Sequence, residues 1–188
     1  IYETEVEGGI TRLLAVFQNF KDVEKVGTVR SARYVYIDLA NGHNAIYAHH
    51  GSDPSYARAH LKDLDTIEVT TNNGGKRQSN GLASEHTLYA NCKNVWNSIK
   101  AMGLDTTVAK ANPWQTFAND ESPVKFEYTT NSVTIPFSNS YKTTFKFDAT
   151  TGKYTRFFNG TERKDYTTKE SVTVKNVFVL NTTITDYS

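Results

Sequence analysis

Ser132–Gly160, SVTIPFSNSYKTTFKFDATTGKYTRFFNG, sets apolar or aromatic residues against polar ones with a period of two through three short runs. That period belongs to half-buried strands, and Thr151-Gly152 and Asn159-Gly160 are turn pairs whose second residue accepts a positive φ without strain. The stretch reads as an antiparallel meander. Its flanks extend the pattern: VKFEYTT (124–130) before it and SVTVKNVFVL (171–180) after it are further strand candidates, with a turn at Asn131-Ser132.

Upstream of Leu104 the character differs. ITRLLAVFQNF (10–20) is apolar on both alternating sets, which predicts a strand covered on both faces, with a helical reading left open. Ser31 is placed to cap a helix from Ala32 to about Ala40, with Gly42 as its stop. Asp53-Pro54 is a good entry to a second helix running to about Lys62. A third is expected over 87–102, with Leu88, Cys92, Val95, Trp96 and Ile99 as one apolar stripe and Gly103 ending it. Short strands are expected at Ala45–His49 and Thr66–Thr70. The polar stretch TNNGGKRQSNGLAS (71–84) is long for a passive connection. The fold class is α+β, a mixed sheet with about three helices followed by an antiparallel β-meander. Residues 1–104 form an α/β-type portion with a candidate anion site, and 105–188 a β-rich portion packed against it or continuing it.

The 188 residues hold 21 Lys plus Arg against 20 Asp plus Glu, a formal charge of +1. No global field draws nucleic acid, so any cationic function is local. No apolar run reaches the roughly 18–20 residues that cross a bilayer, and IYETEVEGG has neither the basic start nor the apolar centre of a signal peptide. The single Cys92 excludes an internal disulfide and a cysteine-rich metal site, and it reads as packed core.

The chemistry-bearing residues concentrate in four places. VEGGITRL places Glu7 before two glycines and Arg12 in the strand beyond them, either as an ion pair stitching a sheet or as part of a site. VGTVRSAR places Arg30 and Arg33 at a strand-to-helix turn, where planar guanidiniums suit a carboxylate or phosphate. The competing reading pairs Arg30 internally with Glu7 or Asp38 and leaves Arg33 solvated. His49-His50-Gly51-Ser52-Asp53 ends a strand and opens a helix, a position where α/β proteins gather site residues. His86 opens the third helix, and Arg156 alternates with Tyr154 and Phe158 near the Asn159-Gly160 turn, as a further cation for the site or stacked on an aromatic neighbour. No short metal-ligand spacing is present, GGKRQSNG lacks the ending of a phosphate loop, and neither metal nor cofactor is expected.

VEGGITRL, VGTVRSAR, the strand ending in His-Gly-Ser, the helix opening with His-x-x-Tyr, and YTRFFNG followed by Asp165 together resemble the YerB-like family of Gram-positive bacterial lipoproteins, catalogued as a domain of unknown function. The matching positions are Glu7, Gly8, Gly9, Thr11, Arg12, Gly27, Arg30, Ser31, Arg33, His49, Gly51, His86, Tyr89, Tyr154, Arg156 and Gly160. Family members usually carry Pro and Asn where this chain has Glu85 and Thr87 around His86. They also begin earlier and continue further, so the chain is expected to be an interior piece of a longer protein.

The resemblance implies an extracytoplasmic, membrane-anchored protein and names no substrate. The expected function is a cell-envelope binding module holding an anionic small molecule or peptidoglycan fragment through Arg12, Arg30, Arg33, His49, His86 and Arg156, with Glu7 beside them. The alternatives are a hydrolase or transferase acting on an envelope polymer, with Glu7 or His49 as acid or base, and a scaffold for an envelope complex. Nucleic acid is not an expected partner, and a membrane is one only through a lipid anchor outside this chain.

Overall fold

The computed structural model describes residues 1–79, 81–107 and 130–183. The chain divides into two compact units, one of Ile1 with Leu14–Thr116 and one of Tyr2–Leu13 with Phe117–Ser188.

Strands β1 (Tyr2–Val6) and β2 (Ile10–Leu14) pair across Glu7–Gly9 and belong, up to Leu13, to the second unit. Gly8 and Gly9 sit at φ +76° and +67°, the left-handed region that makes so short a reversal possible. β2 stops at Leu14 with no residue fully buried, so the double-covered strand expected as far as Phe20 is not formed. Phe20 instead packs on the core of the first unit, which draws the chain out of the strand.

The first unit continues through β3 (Lys25–Gly27), α1 (Tyr34–Gly42), β4 (Tyr47–His49), α2 (Ala57–His60), β5 (Thr66–Glu68), β6 (Gly75–Arg77), β7 (Leu88–Asn91) and α3 (Cys92–Ala101). Its strands form an antiparallel sheet in the order β3-β7-β6 and a parallel pair β4-β5. Ile67, Val69, Ala90, Val95 and Ile99 make its core, fringed by Val29, Ile46, Ala48 and Leu104.

Three expected helix boundaries move, each for a local reason. Ser31 does not cap α1, because Ala32 is held extended in a parallel bridge to Ser52 and the helix begins at Tyr34. Asp53 does organise the second entry, accepting from Ser55 N (3.1 Å) and Tyr56 N (2.9 Å), but the helix is a single turn followed by a 3-10 turn at Leu61–Asp63. Leu88, expected on the stripe of the third helix, lies in β7: Leu88 and Ala90 are buried while Asn91 is exposed, the alternation of a strand. Asn91 then caps α3, its side chain accepting from Asn94 N at 3.0 Å. Cys92 is buried as expected.

In the second unit β8 (Ser132–Pro136), β9 (Lys142–Asp148), β10 (Lys153–Phe158) and β11 (Thr161–Glu162) follow one another as an antiparallel meander, and β12 (Thr173–Val174) pairs with β10. Asn159 (φ +48°) and Gly160 (φ +79°) form the tight turn between β10 and β11. Of SVTVKNVFVL only Thr173–Val174 is a strand, and 124–129 of VKFEYTT lie outside the described residues. The fold is α+β.

Candidate functional site

Two motifs far apart in sequence run side by side in the first unit. His50 N donates to Arg30 O (3.0 Å), Ala32 N to Gly51 O (3.0 Å) and Asp53 N to Ala32 O (3.3 Å), so Arg30–Arg33 lies along His49–Asp53 like an added parallel strand. Gly51 (φ +75°) turns the chain there, and a Cβ on it would stand 3.2 Å from Ser31 Oγ.

The arginines of VRSAR are engaged by the protein itself. Arg30 Nη1 donates to Glu85 O (2.8 Å) and lies 2.8 Å from His86 Nδ1, with Nη2 3.9 Å from Glu85 Oε1. Arg30 and His86 are therefore brought together, and the guanidinium clasps the Ser84–His86 turn. Arg33 Nη1 donates to Ala32 O (2.9 Å), and Arg33 is one of the charges lowering the Asp53 carboxyl, behind the amides of the Asp53 turn. Arg77, from the stretch set aside as a false phosphate loop, completes this side. It donates to Ser84 O (2.6 Å) and Thr87 Oγ1 (3.2 Å) and lies 3.4 Å from His50 Nε2, while His50 Nδ1 donates to Val69 O (2.8 Å).

His49 is arranged differently. It is only 5% exposed, its ring stacks on Tyr47 with centroids 5.5 Å apart, and Nδ1 donates to Gly51 O at 2.8 Å. Nε2 is thereby left as an acceptor, with no hydrogen-bond partner among the described residues, yet it is not sealed from solvent. Burial pushes the imidazole below its ordinary 6.5, partly opposed by the Gly51 carbonyl and Glu68. His49 and Glu68 are register partners on the parallel strands β4 and β5, so their side chains share a face.

That face opens into a cavity of about 440 Å³ lined by His49, Gly51, Ser52, Arg58, Leu61, Thr66 and Glu68. Glu68 Oε1 accepts from Gly51 N at 3.2 Å. Among the described residues the Arg58 guanidinium pairs with no carboxylate, Glu68 included. Arg58 and Glu68 escaped the sequence reading because parallel pairing leaves no local signal, and Arg58 reads as an ordinary exposed helix residue. A larger cavity, about 530 Å³, lies between the 71–76 turn and α3. Its amides are partly spent on the chain itself: Asn73 holds Thr70 N and Glu68 O, and Asn91 caps α3. Among the described residues Lys76 is its only charged lining residue.

The remaining candidates lie in the second unit. Arg12 Nη2 meets Glu7 Oε1 at 3.2 Å. Arg156 Nη2 pairs with Glu3 Oε1 at 2.9 Å, and the same oxygen accepts from Thr11 Oγ1 and Thr143 Oγ1, both at 2.9 Å. Glu3 was not singled out from sequence, because Tyr2–Val6 alternates too weakly to show which face it buries. Among the described residues no three His, Cys, Asp or Glu side chains are grouped as metal ligands, and no helix is long and apolar enough to cross a membrane.

Comparison with known proteins agrees with the motifs. Residues 1–105 match the family described as the N-terminal domain of a protein of unknown function, DUF3048, and residues 133–188 match its C-terminal domain. The sequence is 30% identical to "Putative lipoprotein YerB" of Bacillus subtilis (strain 168), over 96% of this chain and 54% of that protein. The crystal structure of YerB from Bacillus subtilis superposes with a TM-score of 0.70 at 25% identity, over 91% of this chain and 57% of that one. The chain thus spans about half the length of the relative it matches. With both domain signatures present in order, it belongs to the DUF3048 family of YerB-like proteins.

Proposed function

We propose that this protein is a binding module of the bacterial cell envelope that holds an anionic group in the His49 cavity, anchored outside the cytoplasm as the name of its Bacillus relative implies for that relative. The observation that carries the ligand reading is the Arg58 guanidinium, unpaired among the described residues, at a cavity backed by a buried imidazole. Ser52 adds a hydroxyl donor. Arg30, Arg33 and Arg77 do not line the cavity, and each spends a guanidinium nitrogen on a backbone carbonyl, so they enter this reading as frame. Glu7, Arg12 and Arg156 enter this reading only as paired charges of the second unit.

Titration of the wild type and Arg58→Ala with muropeptides and with inorganic phosphate, followed by calorimetry, tests it. A charge-assisted bond from a guanidinium is worth about 1.5–3 kcal/mol, so the variant should bind at least about tenfold more weakly. Equal affinities in the two proteins, or no binding to either, would sink the reading. A second reading has one observation in its favour: a neutral imidazole with Nε2 open to a cavity is a competent general base. Turnover of muropeptides or esters that disappears in His49→Gln, with the fold intact, would replace the binder by a hydrolase or transferase.

A further inference from the structure

The cavity holds a negative group as well as a positive one, and the two do not neutralise each other. Arg58 and Glu68 both line it without forming an ion pair, so opposite charges stand apart on one concave wall. A wall meant only for an anion would exclude a carboxylate, because a like charge beside the ligand costs affinity. The polar groups sort by what they ask of a ligand. Arg58 and Ser52 offer donors, and neither side chain has a partner among the described residues. Glu68 and His49 Nε2 offer acceptors: Gly51 N occupies one site on the Glu68 carboxylate and leaves others, and Nε2 has no partner because the ring proton is spent on Gly51 O. An acceptor of this kind on a side chain more than nine-tenths buried, at a cavity wall, calls for a donor from outside.

We propose that the ligand is a zwitterion, an amino acid or short peptide whose carboxylate meets Arg58 and Ser52 and whose free ammonium meets Glu68 and His49 Nε2. This deepens the anion-binding reading and rests on it. The size agrees, since about 440 Å³ falls within the roughly 300–1,000 Å³ range of small-molecule sites. An ammonium has three donors and no acceptor, and it suits a carboxylate with a neutral imidazole beside it better than a hydroxyl does. The neutral state of His49 at neutral pH follows from its burial, and Tyr47, Arg58, Glu68 and His50 are the charged or titratable groups facing it.

The test uses three forms of one probe, D-alanyl-D-alanine, its N-acetyl derivative and its C-terminal amide, titrated calorimetrically into the wild type, Glu68→Gln and Arg58→Ala. Both substituted side chains are exposed, so these variants should fold. The free dipeptide should bind the wild type at least about tenfold more tightly than either blocked form, the scale of one charge-assisted bond. Glu68→Gln should abolish its advantage over the N-acetyl form, and Arg58→Ala its advantage over the amide. If the N-acetyl form binds as well as the free dipeptide and Arg58→Ala weakens both, the zwitterion inference falls and the anion reading stands. If no form binds and phosphate and muropeptides do not bind either, both fall.

Discussion

Gly27 shows how a single residue type is demanded by packing. It faces Tyr89 across the β3–β7 ladder, and a Cβ there would lie 2.4 Å from Tyr89 Cδ1, far inside contact distance. Its φ is not in the left-handed region, and the ring above it leaves no room for a side chain. Gly27→Ala should therefore cost about 1–3 kcal/mol, the usual range for overpacking, seen as a lower urea midpoint. Gly27→Ala with Tyr89→Leu should recover part of that loss, because the clash is with the ring alone. A single variant as stable as the wild type would mean that Tyr89 moves aside freely. Both residues are family-motif positions, but the sequence carries no sign that they touch.

Glu3 makes the corresponding argument for an element. Its Oε1 accepts from Thr11 across the β1–β2 pair and from Thr143 and Arg156 in the meander, and Ser138 Oγ adds a 2.8 Å bond to Gly9 O. Within the second unit these bonds fasten the first two strands to β9 and β10. The Arg156 and Glu3 side chains are 15% and 11% exposed, so removing one partner strands the other charge in a poorly hydrated place. Glu3→Ala should destabilise by about 3–5 kcal/mol in urea unfolding, while Glu3→Leu with Arg156→Met should lose much less. Similar losses for the single and double variants would show that the pair contributes net stability beyond avoiding a stranded charge. At this scale the meander was legible, because turn pairs and period two are local properties. β7 was misread as helix because Leu88 falls four residues before Cys92 and so fits the stripe of α3, although the alternation of LYAN and the Asn91 cap were both visible.

For the whole molecule the titrating groups predict the response to acid. Burial lowers the His49 pKa below 6.5, so the unfolded chain binds its proton first. Stability is then complete above about pH 6.5 and declines as pH falls from there toward the lowered value. Asp53, Asp105, Asp148 and Asp165 are lowered mainly by hydrogen bonds from turn amides or hydroxyls, and their contribution is lost only as pH falls below the ordinary 3.8. Thermal melts should show two separate declines, and His49→Gln should remove the upper one while leaving the lower. An upper decline that persists in that variant, or a His49 ring resonance titrating at or above 6.5, would refute the assignment. What the sequence by itself determined was the α+β class, the meander, the family motifs and a near-zero balance of charge, all of which depend on near neighbours or on composition. The tertiary structure alone decided which charges are spent and which are open. It committed Arg30 to the Ser84–His86 turn, set Glu68 beside His49 through parallel pairing, and left Arg58 at the cavity, because such contacts join residues whose separation along the chain says nothing of their distance in space.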